Sequence, residues 1–116
     1  MEDYVSLTPE GGLKKKILTE GTGAVAESGK KVFVHYRGTF QDGKEFDSSI
    51  RRNKPFSFTL GAGQVISGWD LGVASMRQGE KASFRIEPNY AYGSKGAGNV
   101  IPPNSTLFFE VEFLNQ

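Results

Sequence analysis

Aromatic side chains dominate the residues of this chain that could do chemistry. Trp69 is the single tryptophan, and nine Phe and four Tyr accompany it, against one His and no Cys. Such a set builds an apolar cleft more readily than a site for covalent catalysis. One reaction that is accelerated mainly by an apolar cleft is rotation about the peptide bond that precedes proline.

The aromatic residues exceed what a small core readily absorbs. Each buries roughly 150–250 Å², so some of them must line a cleft instead. Tyrosine hydroxyls in such a cleft can orient a ligand through hydrogen bonds. The candidates for the cleft are Tyr36, Phe46, Phe56, Trp69, Tyr90, Tyr92 and Phe109.

Acid–base and metal chemistry find little support among the other residue types. His35 is the only histidine, and Lys31 and Arg37 share its strand face, so we expect a solvated strand histidine. A Ser-His-Asp triad has no G-x-S-x-G elbow to support it. One His and no Cys leave only carboxylates as metal ligands, and these lack EF-hand spacing. We expect no metal and no cofactor.

Phosphate binding is equally weak as a prediction. Gly61-Ala62-Gly63 and Gly96-Ala97-Gly98 lack both the third glycine and a Gly-Lys-Ser/Thr ending, so both are predicted to be turns. The run Lys14-Lys15-Lys16 is predicted to be a solvated strand edge that discourages aggregation.

Length and charge set the broad class. With 116 residues and a net charge of +1, the chain is expected to be one domain with no nucleic-acid partner. No apolar stretch approaches the roughly 18–20 residues that span a bilayer, and Met1-Glu2-Asp3 begins no signal peptide. These features predict a soluble, cytoplasmic protein without a membrane partner, and we expect a monomer.

Period-two alternation of apolar residues predicts about five strands. The clearest run extends from Val32 to Phe40, and others cover 56–60, 81–87 and 106–113, with a weaker one at 14–19. Such alternation is typical of an antiparallel sheet with one wet face.

Only one segment is predicted to be helical. Ser67 is a candidate N-cap with Asp70 three residues on, whereas Gly68 and Gly72 weaken the helix and make it depend on packing. Apolar residues recur at helical spacing at Ile66, Trp69, Val73 and Met76. The predicted class is α+β, a curved antiparallel sheet of about five strands wrapped around one short helix.

Turns and loops complete the organisation. Gln41-Asp42-Gly43-Lys44 predicts a hairpin, and loops 48–55 and 93–104 are candidate functional segments. Residues 1–11 are expected to be a loosely held extension, with residues 12–116 as the domain.

Six ordered motifs resemble those of one family. They are His35-Tyr36-Arg37-Gly38, Phe46-Asp47-Ser48-Ser49, Arg52-Asn53-Lys54-Pro55-Phe56, Val65-Ile66-Ser67-Gly68-Trp69, Tyr90-Ala91-Tyr92-Gly93 and Ile101-Pro102-Pro103. Their order and spacing, from about residue 12 to 115, are similar to those of the FKBP immunophilins. The resemblance implies a peptidyl-prolyl cis-trans isomerase that binds tacrolimus and rapamycin and assists protein folding. It also implies calcineurin or TOR kinase as partners of the drug complex.

The resemblance also implies a role for each matching residue. Trp69 would form the pocket floor, and the Ile66 N–H and the Tyr92 hydroxyl would hold ligand carbonyls. Asp47 would lie at the edge, facing Arg52. The walls would be Tyr36, Phe46, Phe56, Val65, Ile66 and Phe109, with Tyr92 and Ile101 at the rim and Gln64 making a backbone contact.

The chain departs from the best-known members at three places. Gln64 stands where they often carry an acidic residue, and the loop from Gly93 to Val100 lacks a proline often found there. Ile50 puts an apolar side chain on an exposed loop. The resemblance implies that the loop from Gly93 to Val100 influences peptide preference and protein partners.

Two other functions compete with isomerase activity. The same pocket would serve a binding module for proline segments or macrolides, in a scaffold or chaperone without turnover. An acid–base hydrolase would need Asp47 and His35, which the predicted strands place apart.

Overall fold

The alternating segments form strands in the computed structural model, which describes residues 4–116. Residues 1–3, on which the expectation about a signal peptide falls, lie outside this range. Within residues 4–116 there are seven strands: β1 Val5–Ser6, β2 Leu13–Thr19, β3 Lys31–Phe40, β4 Glu45–Ser48, β5 Phe56–Thr59, β6 Lys81–Ile86 and β7 Leu107–Asn115. The same range contains one α-helix, α1, at Ser67–Ala74, and a short 3₁₀ turn at Pro88–Tyr90.

All strand pairs of the sheet are antiparallel, in the order β1-β2-β6-β7-β3-β4, with β5 also pairing with β3. Strand β3 is long enough to pair with β5 along its first half and with β4 along its second. The predicted α+β class is therefore confirmed. The sheet contains the five predicted strands and, in addition, the short strands β1 and β4.

The buried face of the sheet packs against α1. Val32 and Val34 on β3, Phe84 on β6 and Phe113 on β7 are almost fully buried, together with Val73 of the helix. Some of the alternating residues, such as Arg37 and Glu112, are exposed, whereas His35 is half-buried and Ser83 is buried. Each fully buried Val, Leu or Phe side chain contributes about 1.5–3 kcal/mol, so this face supplies most of the stability.

Helix α1 is short and follows its packing rather than its propensity. Two of its eight residues, Gly68 and Gly72, are buried against the sheet. A Cβ on Gly68 would lie 2.7 Å from Ile86, and one on Gly72 would lie 2.9 Å from Phe84. The glycines weaken the helix in isolation, but they let it approach β6 closely.

The predicted N-cap is wrong. The helix begins at Ser67, its N-cap position is Ile66, and no side chain caps it. The Asp70 carboxylate instead accepts hydrogen bonds from the backbone N–H groups of Gly61 (2.9 Å) and Gly63 (3.1 Å). The preceding loop competes successfully for the carboxylate because it brings two unpaired donors to it.

The described part of the N-terminal extension pairs with the sheet. Val5 and Ser6 pair with Lys15 and Lys14, and the Leu7 N–H donates to the Leu13 carbonyl (2.8 Å). The described part of residues 1–11 thus adds an edge strand to the sheet. The domain boundary at residue 12 stays a prediction.

The solvated lysine edge is wrong for Lys15. Strand β1 pairs with β2 at Lys14 and Lys15, so this part of β2 is not an edge. The Lys15 side chain is buried, and its Nζ is 2.6 Å from Glu80 Oε2. The ammonium directs its hydrogen bonds to Ser75 Oγ (2.9 Å) and the Ser75 carbonyl (3.0 Å). Lys15 therefore links β2 to the C-terminal end of α1, where the helix dipole also stabilises a positive charge.

The predicted hairpin joins β3 to β4. Gly43 has φ 89°, and Asp42 Oδ1 accepts a hydrogen bond from the Lys44 N–H (2.9 Å).

Within residues 4–116, no helix is long and apolar enough to cross a membrane.

Replacing Lys15 should test the buried ion pair. Lys15→Met should lower the free energy of unfolding by about 3–5 kcal/mol, because the Glu80 carboxylate stays buried without its counter-charge. Lys16→Met, on the same strand but partly exposed, should change it by about 0.5 kcal/mol or less. Urea denaturation of both variants measures the difference, and equal losses would contradict the assignment.

Candidate active site

Three neighbouring strands bring the predicted pocket residues together. Tyr36 and Gly38 lie on β3, Phe109 on β7 pairs with Gly38 from one side, and Asp47 on β4 pairs with it from the other. Gly38 leaves the room that the rings need, since a Cβ there would lie 2.7 Å from Phe46 and 2.8 Å from Phe109.

A β-bulge in β4 directs two consecutive side chains to the same cavity. Gly38 pairs with Asp47 and Thr39 pairs with Glu45, so Phe46 is the extra residue between them. Strict alternation would send Phe46 and Asp47 to opposite faces, but a bulge breaks the alternation and bends the strand. Phe46 and Asp47 therefore both line the pocket.

Trp69 forms the floor of the pocket. Its ring is 6% exposed, and ring centroids of its aromatic neighbours lie 4.9–5.8 Å away. Most of these contacts are edge-to-face, the arrangement that aromatic quadrupoles favour. The indole N–H has no hydrogen-bond partner among residues 4–116. The neighbouring rings are Tyr36, Phe56, Phe58 and Phe109.

A charged pair at the edge of the pocket is tied to Tyr36. The Tyr36 hydroxyl donates to Asp47 Oδ2 (2.5 Å) and accepts from the Arg52 guanidinium (2.9 Å). Arg52 also forms an ion pair with Asp47 Oδ1. The facing of Asp47 and Arg52 is thus present in the structure, with Tyr36 as the third member.

The same contacts shift the acid–base behaviour of the three groups. Burial and the hydrogen bond to Asp47 raise the pKa of Tyr36. Partial burial favours the neutral form of Asp47, but hydrogen bonds from Tyr36 and Arg52 outweigh it and lower its pKa. Hydrogen bonds to Tyr36 and Asp47 raise the pKa of Arg52. The group is therefore a neutral phenol between a fixed anion and a fixed cation.

Ser49 anchors the loop that carries Arg52. It is fully buried, its N–H donates to the Tyr36 carbonyl (3.0 Å), and its Oγ accepts from the Tyr36 N–H (2.7 Å). His35 Nδ1 lies 2.9 Å from the same Oγ, so this histidine is half-buried rather than solvated. Ser49 belongs to the motif Phe46-Asp47-Ser48-Ser49, but nothing in the residue pattern predicts that it is buried or that it bonds to Tyr36.

The opposite wall consists of the segment before α1. Val65 and Ile66 line the pocket, and Gln64 does so while its Oε1 accepts from the Thr59 N–H (2.9 Å). The Ile66 N–H donates to no group within the described chain. It lies at the helix N-terminus, where backbone donors are free to bind an acceptor.

Tyr92 closes the pocket from the loop side. Its side chain is 41% exposed, and its hydroxyl has no hydrogen bond to any described residue. Burial and the charge of Asp47 raise its pKa, so the hydroxyl keeps its proton. Among the described residues, the Ile66 N–H and the Tyr92 hydroxyl are thus donors without a partner in the pocket, as is the buried indole N–H of Trp69.

Ten of the twelve predicted site residues surround one cavity of about 190 Å³. Arg52 is outside the lining and contacts Asp47 at its edge. Ile101, predicted at the rim, is 4% exposed and is also outside the lining. Ile101 turns inward because it pairs with Ala97 across its own loop. Tyr90, a further aromatic candidate, also lies outside the lining, which comprises Tyr36, Phe46, Asp47, Phe56, Gln64, Val65, Ile66, Trp69, Tyr92 and Phe109.

The side chains that acid–base catalysis or metal binding would need are not brought together in the structure. Asp47 is engaged by Tyr36 and Arg52, whereas His35 contacts Ser49, so no hydrogen bond links the carboxylate to the imidazole. Across residues 4–116, no three His, Cys, Asp or Glu side chains are grouped to hold a metal ion.

Comparison with known proteins identifies the family. The sequence model of the family of FKBP-type peptidyl-prolyl cis-trans isomerases matches residues 23–114. The chain is 52% identical to FK506-binding protein 1 of Dictyostelium discoideum over 103 residues, 89% of this chain and 96% of that protein. It is 59% identical to the peptidyl-prolyl cis-trans isomerase Fkbp12 of Drosophila melanogaster over 88 residues, 76% and 82% of the two chains.

The fold agrees with the sequence comparison. The crystal structure of AtFKBP13 matches with a TM-score of 0.92 at 38% identity, covering 98% of each chain. The chain therefore belongs to the FKBP-type peptidyl-prolyl cis-trans isomerases. It is an isomerase of X-Pro peptide bonds, as its motifs predicted.

Two substitutions should distinguish the role of Trp69, a buried ring under the pocket, from that of Tyr92, a hydrogen-bond donor to the ligand. Trp69→Ala should lower the free energy of unfolding by about 3–5 kcal/mol and weaken ligand binding, because it removes a buried ring. Tyr92→Phe should leave stability unchanged and weaken ligand binding by about 0.5–1.5 kcal/mol, the contribution of one hydrogen bond. Urea denaturation and calorimetric titration measure both. An equal loss of fold in the two variants would make Tyr92 a core residue.

Proposed function

We propose that the Trp69 pocket binds the proline ring of an X-Pro segment and catalyses rotation by favouring the twisted amide. The observation that carries the proposal is an aromatic cavity whose lining includes the Ile66 N–H and the Tyr92 hydroxyl, donors without a partner among the described residues. The aromatic floor fits a proline ring, and the donors suit the carbonyl groups that flank it.

The physical basis is differential solvation. Rotation of a peptide bond has a barrier of about 18–20 kcal/mol because the planar amide is stabilised by resonance. The twisted amide has lost that resonance and is less dipolar, so an apolar cavity disfavours it less than the planar form. An interaction that is better in the transition state than in the ground state accelerates the step.

The required acceleration is moderate. Uncatalysed X-Pro isomerisation takes about 10–100 s, and reaching milliseconds needs about 6–7 kcal/mol of transition-state stabilisation. The Ile66 N–H and the Tyr92 hydroxyl would hold the flanking carbonyls while the bond turns. Asp47 would accept one further hydrogen bond at the pocket edge. No bond is broken, and no proton changes place.

We infer that the same pocket binds tacrolimus (FK506) and rapamycin. Several relatives are named for binding FK506, which supports the first drug. The apolar cavity and its donors suit a large ring with neighbouring carbonyl groups. Ile50 and Val100 are exposed on the loops beside the pocket, and they support docking of calcineurin or TOR kinase on the drug complex.

A cytoplasmic monomer that assists protein folding completes the proposal. The net charge of +1 and the mixed surface charges fit a protein that handles many chains without electrostatic selection. Cell fractionation and sedimentation equilibrium test the location and the oligomeric state.

A peptide isomerisation assay tests the function directly. The cis-to-trans rate of a short X-Pro peptide with an apolar residue before proline should rise with the protein. Tacrolimus should abolish the acceleration at one molecule per protein. Drug binding without catalysis would leave a binding module, and neither would mean that the pocket is not the site.

The pH dependence should be flat over the physiological range. Asp47, whose pKa lies below its ordinary value, stays ionised above about pH 5, and Tyr36 and Tyr92, whose pKa values are raised, stay protonated below about pH 9. We expect kcat/KM to change less than about twofold in this window. A bell-shaped profile that moves in Asp47→Asn or His35→Gln would contradict the mechanism.

The contribution of Asp47 to stability should be lost in acid. Because the folded-state pKa of Asp47 is lowered, its contribution is present above the unfolded pKa near ~3.9 and is lost as pH falls through the folded value. Thermal unfolding from pH 7 to pH 2, with Asp47→Asn as the control, measures this loss.

A further inference from the structure

The chain segment before β2 contacts the turn that precedes Tyr92. The Glu87 N–H donates to the Gly12 carbonyl (2.9 Å), which fixes the start of the 3₁₀ turn. The Tyr90 hydroxyl donates to the Glu10 carboxylate at the end of the same turn. Two hydrogen bonds thus connect the N-terminal segment to both ends of the turn at residues 88–90.

The Tyr90 ring packs on Gly12. A Cβ at position 12 would lie 2.5 Å from Tyr90 Cε2 and 2.9 Å from Cδ2, distances that van der Waals contact forbids. Gly12 is buried, and only its lack of a side chain admits the ring.

The backbone carbonyl of Tyr90 lies beside the start of α1. A Cβ on Gly68 would lie 3.0 Å from the Tyr90 carbonyl oxygen. Gly68 directly precedes Trp69, the pocket floor. Tyr90 therefore lies between the N-terminal segment and the helix start, without lining the pocket itself.

The backbone transmits this position to Tyr92. The N–H groups of Ala91 and Gly93 both donate to the Pro88 carbonyl (2.9 Å each), and the Asn104 N–H donates to the Gly93 carbonyl (2.9 Å). The Tyr92 hydroxyl has no hydrogen bond of its own within residues 4–116. Its place in the pocket is consequently decided by the turn.

We propose that Tyr90 is a positioning residue for Tyr92, supported by Glu10 and Gly12 of the N-terminal segment. The role rests on the proposed function, in which the Tyr92 hydroxyl holds a ligand carbonyl. Tyr90 touches no substrate and acts only by holding the turn. The N-terminal segment thereby contributes to ligand binding from outside the pocket.

The charge of Glu10 strengthens the contact. The hydrogen bond from Tyr90 lowers the pKa of Glu10, so the carboxylate is an ionised acceptor at neutral pH. Charge-assisted hydrogen bonds of this kind are stronger than neutral ones.

A double-mutant cycle tests the proposal. Tyr90→Phe keeps the ring and removes the hydroxyl, and Gly12→Ala pushes the ring away. Tyr90→Phe should raise KM and the Kd for tacrolimus about two- to fivefold with kcat unchanged, and Gly12→Ala should raise them further. In a Tyr92→Phe background, Tyr90→Phe should add nothing, because the hydroxyl that it positions is absent.

The controls separate positioning from stability. Glu10→Ala should match Tyr90→Phe, whereas Glu20→Ala, an exposed glutamate outside these contacts, should leave KM unchanged. Melting temperatures identify any variant whose binding loss reflects unfolding.

The outcomes are distinguishable. If Tyr92→Phe weakens binding and Tyr90→Phe is additive with it or without effect, the positioning role is overturned and the proposed function stands. If Tyr92→Phe itself has no effect on binding, the carbonyl-holding role of Tyr92 fails, and the positioning role fails with it.

Discussion

The packing of Trp69 against the concave face of the sheet is the contact on which the rest of the structure depends. Helix α1 has eight residues and two glycines, so it is too short and too weak to persist without a partner. The aromatic rings around the indole provide that partner, and Gly72 allows the close approach to Phe84. The pocket is the space that remains above the indole once the helix has docked.

An apolar cavity works only if the charges at its edge are balanced. Asp47 and Arg52 neutralise each other at the edge, and both are hydrogen-bonded to Tyr36. The edge therefore offers a fixed hydrogen-bonding frame without exposing an unpaired charge to the bound amide. Asp47 is held by Tyr36 and Arg52 and is therefore not a free base, whereas bond rotation needs no proton transfer.

Supports from distant parts of the chain hold this arrangement. Lys15 on β2 joins the end of α1 through Ser75, and Gly12 holds the turn before Tyr92. Both contacts come from the first fifteen residues, far in sequence from the pocket. The N-terminal segment is therefore part of the architecture that positions the site.

The sequence alone determined the antiparallel sheet, the short helix and the aromatic set, because alternation and helical spacing are local patterns that burial enforces. Its ordered motifs also indicated the family. Only the tertiary structure decided the bulge at Phe46, the burial of Lys15, the partners of Asp70 and the inward turn of Ile101. The bulge depends on a register shift, and the burial of Lys15 depends on partners far along the chain. Asp70 and Ile101 are fixed by contacts within nearby loops, whose geometry local residue patterns do not specify.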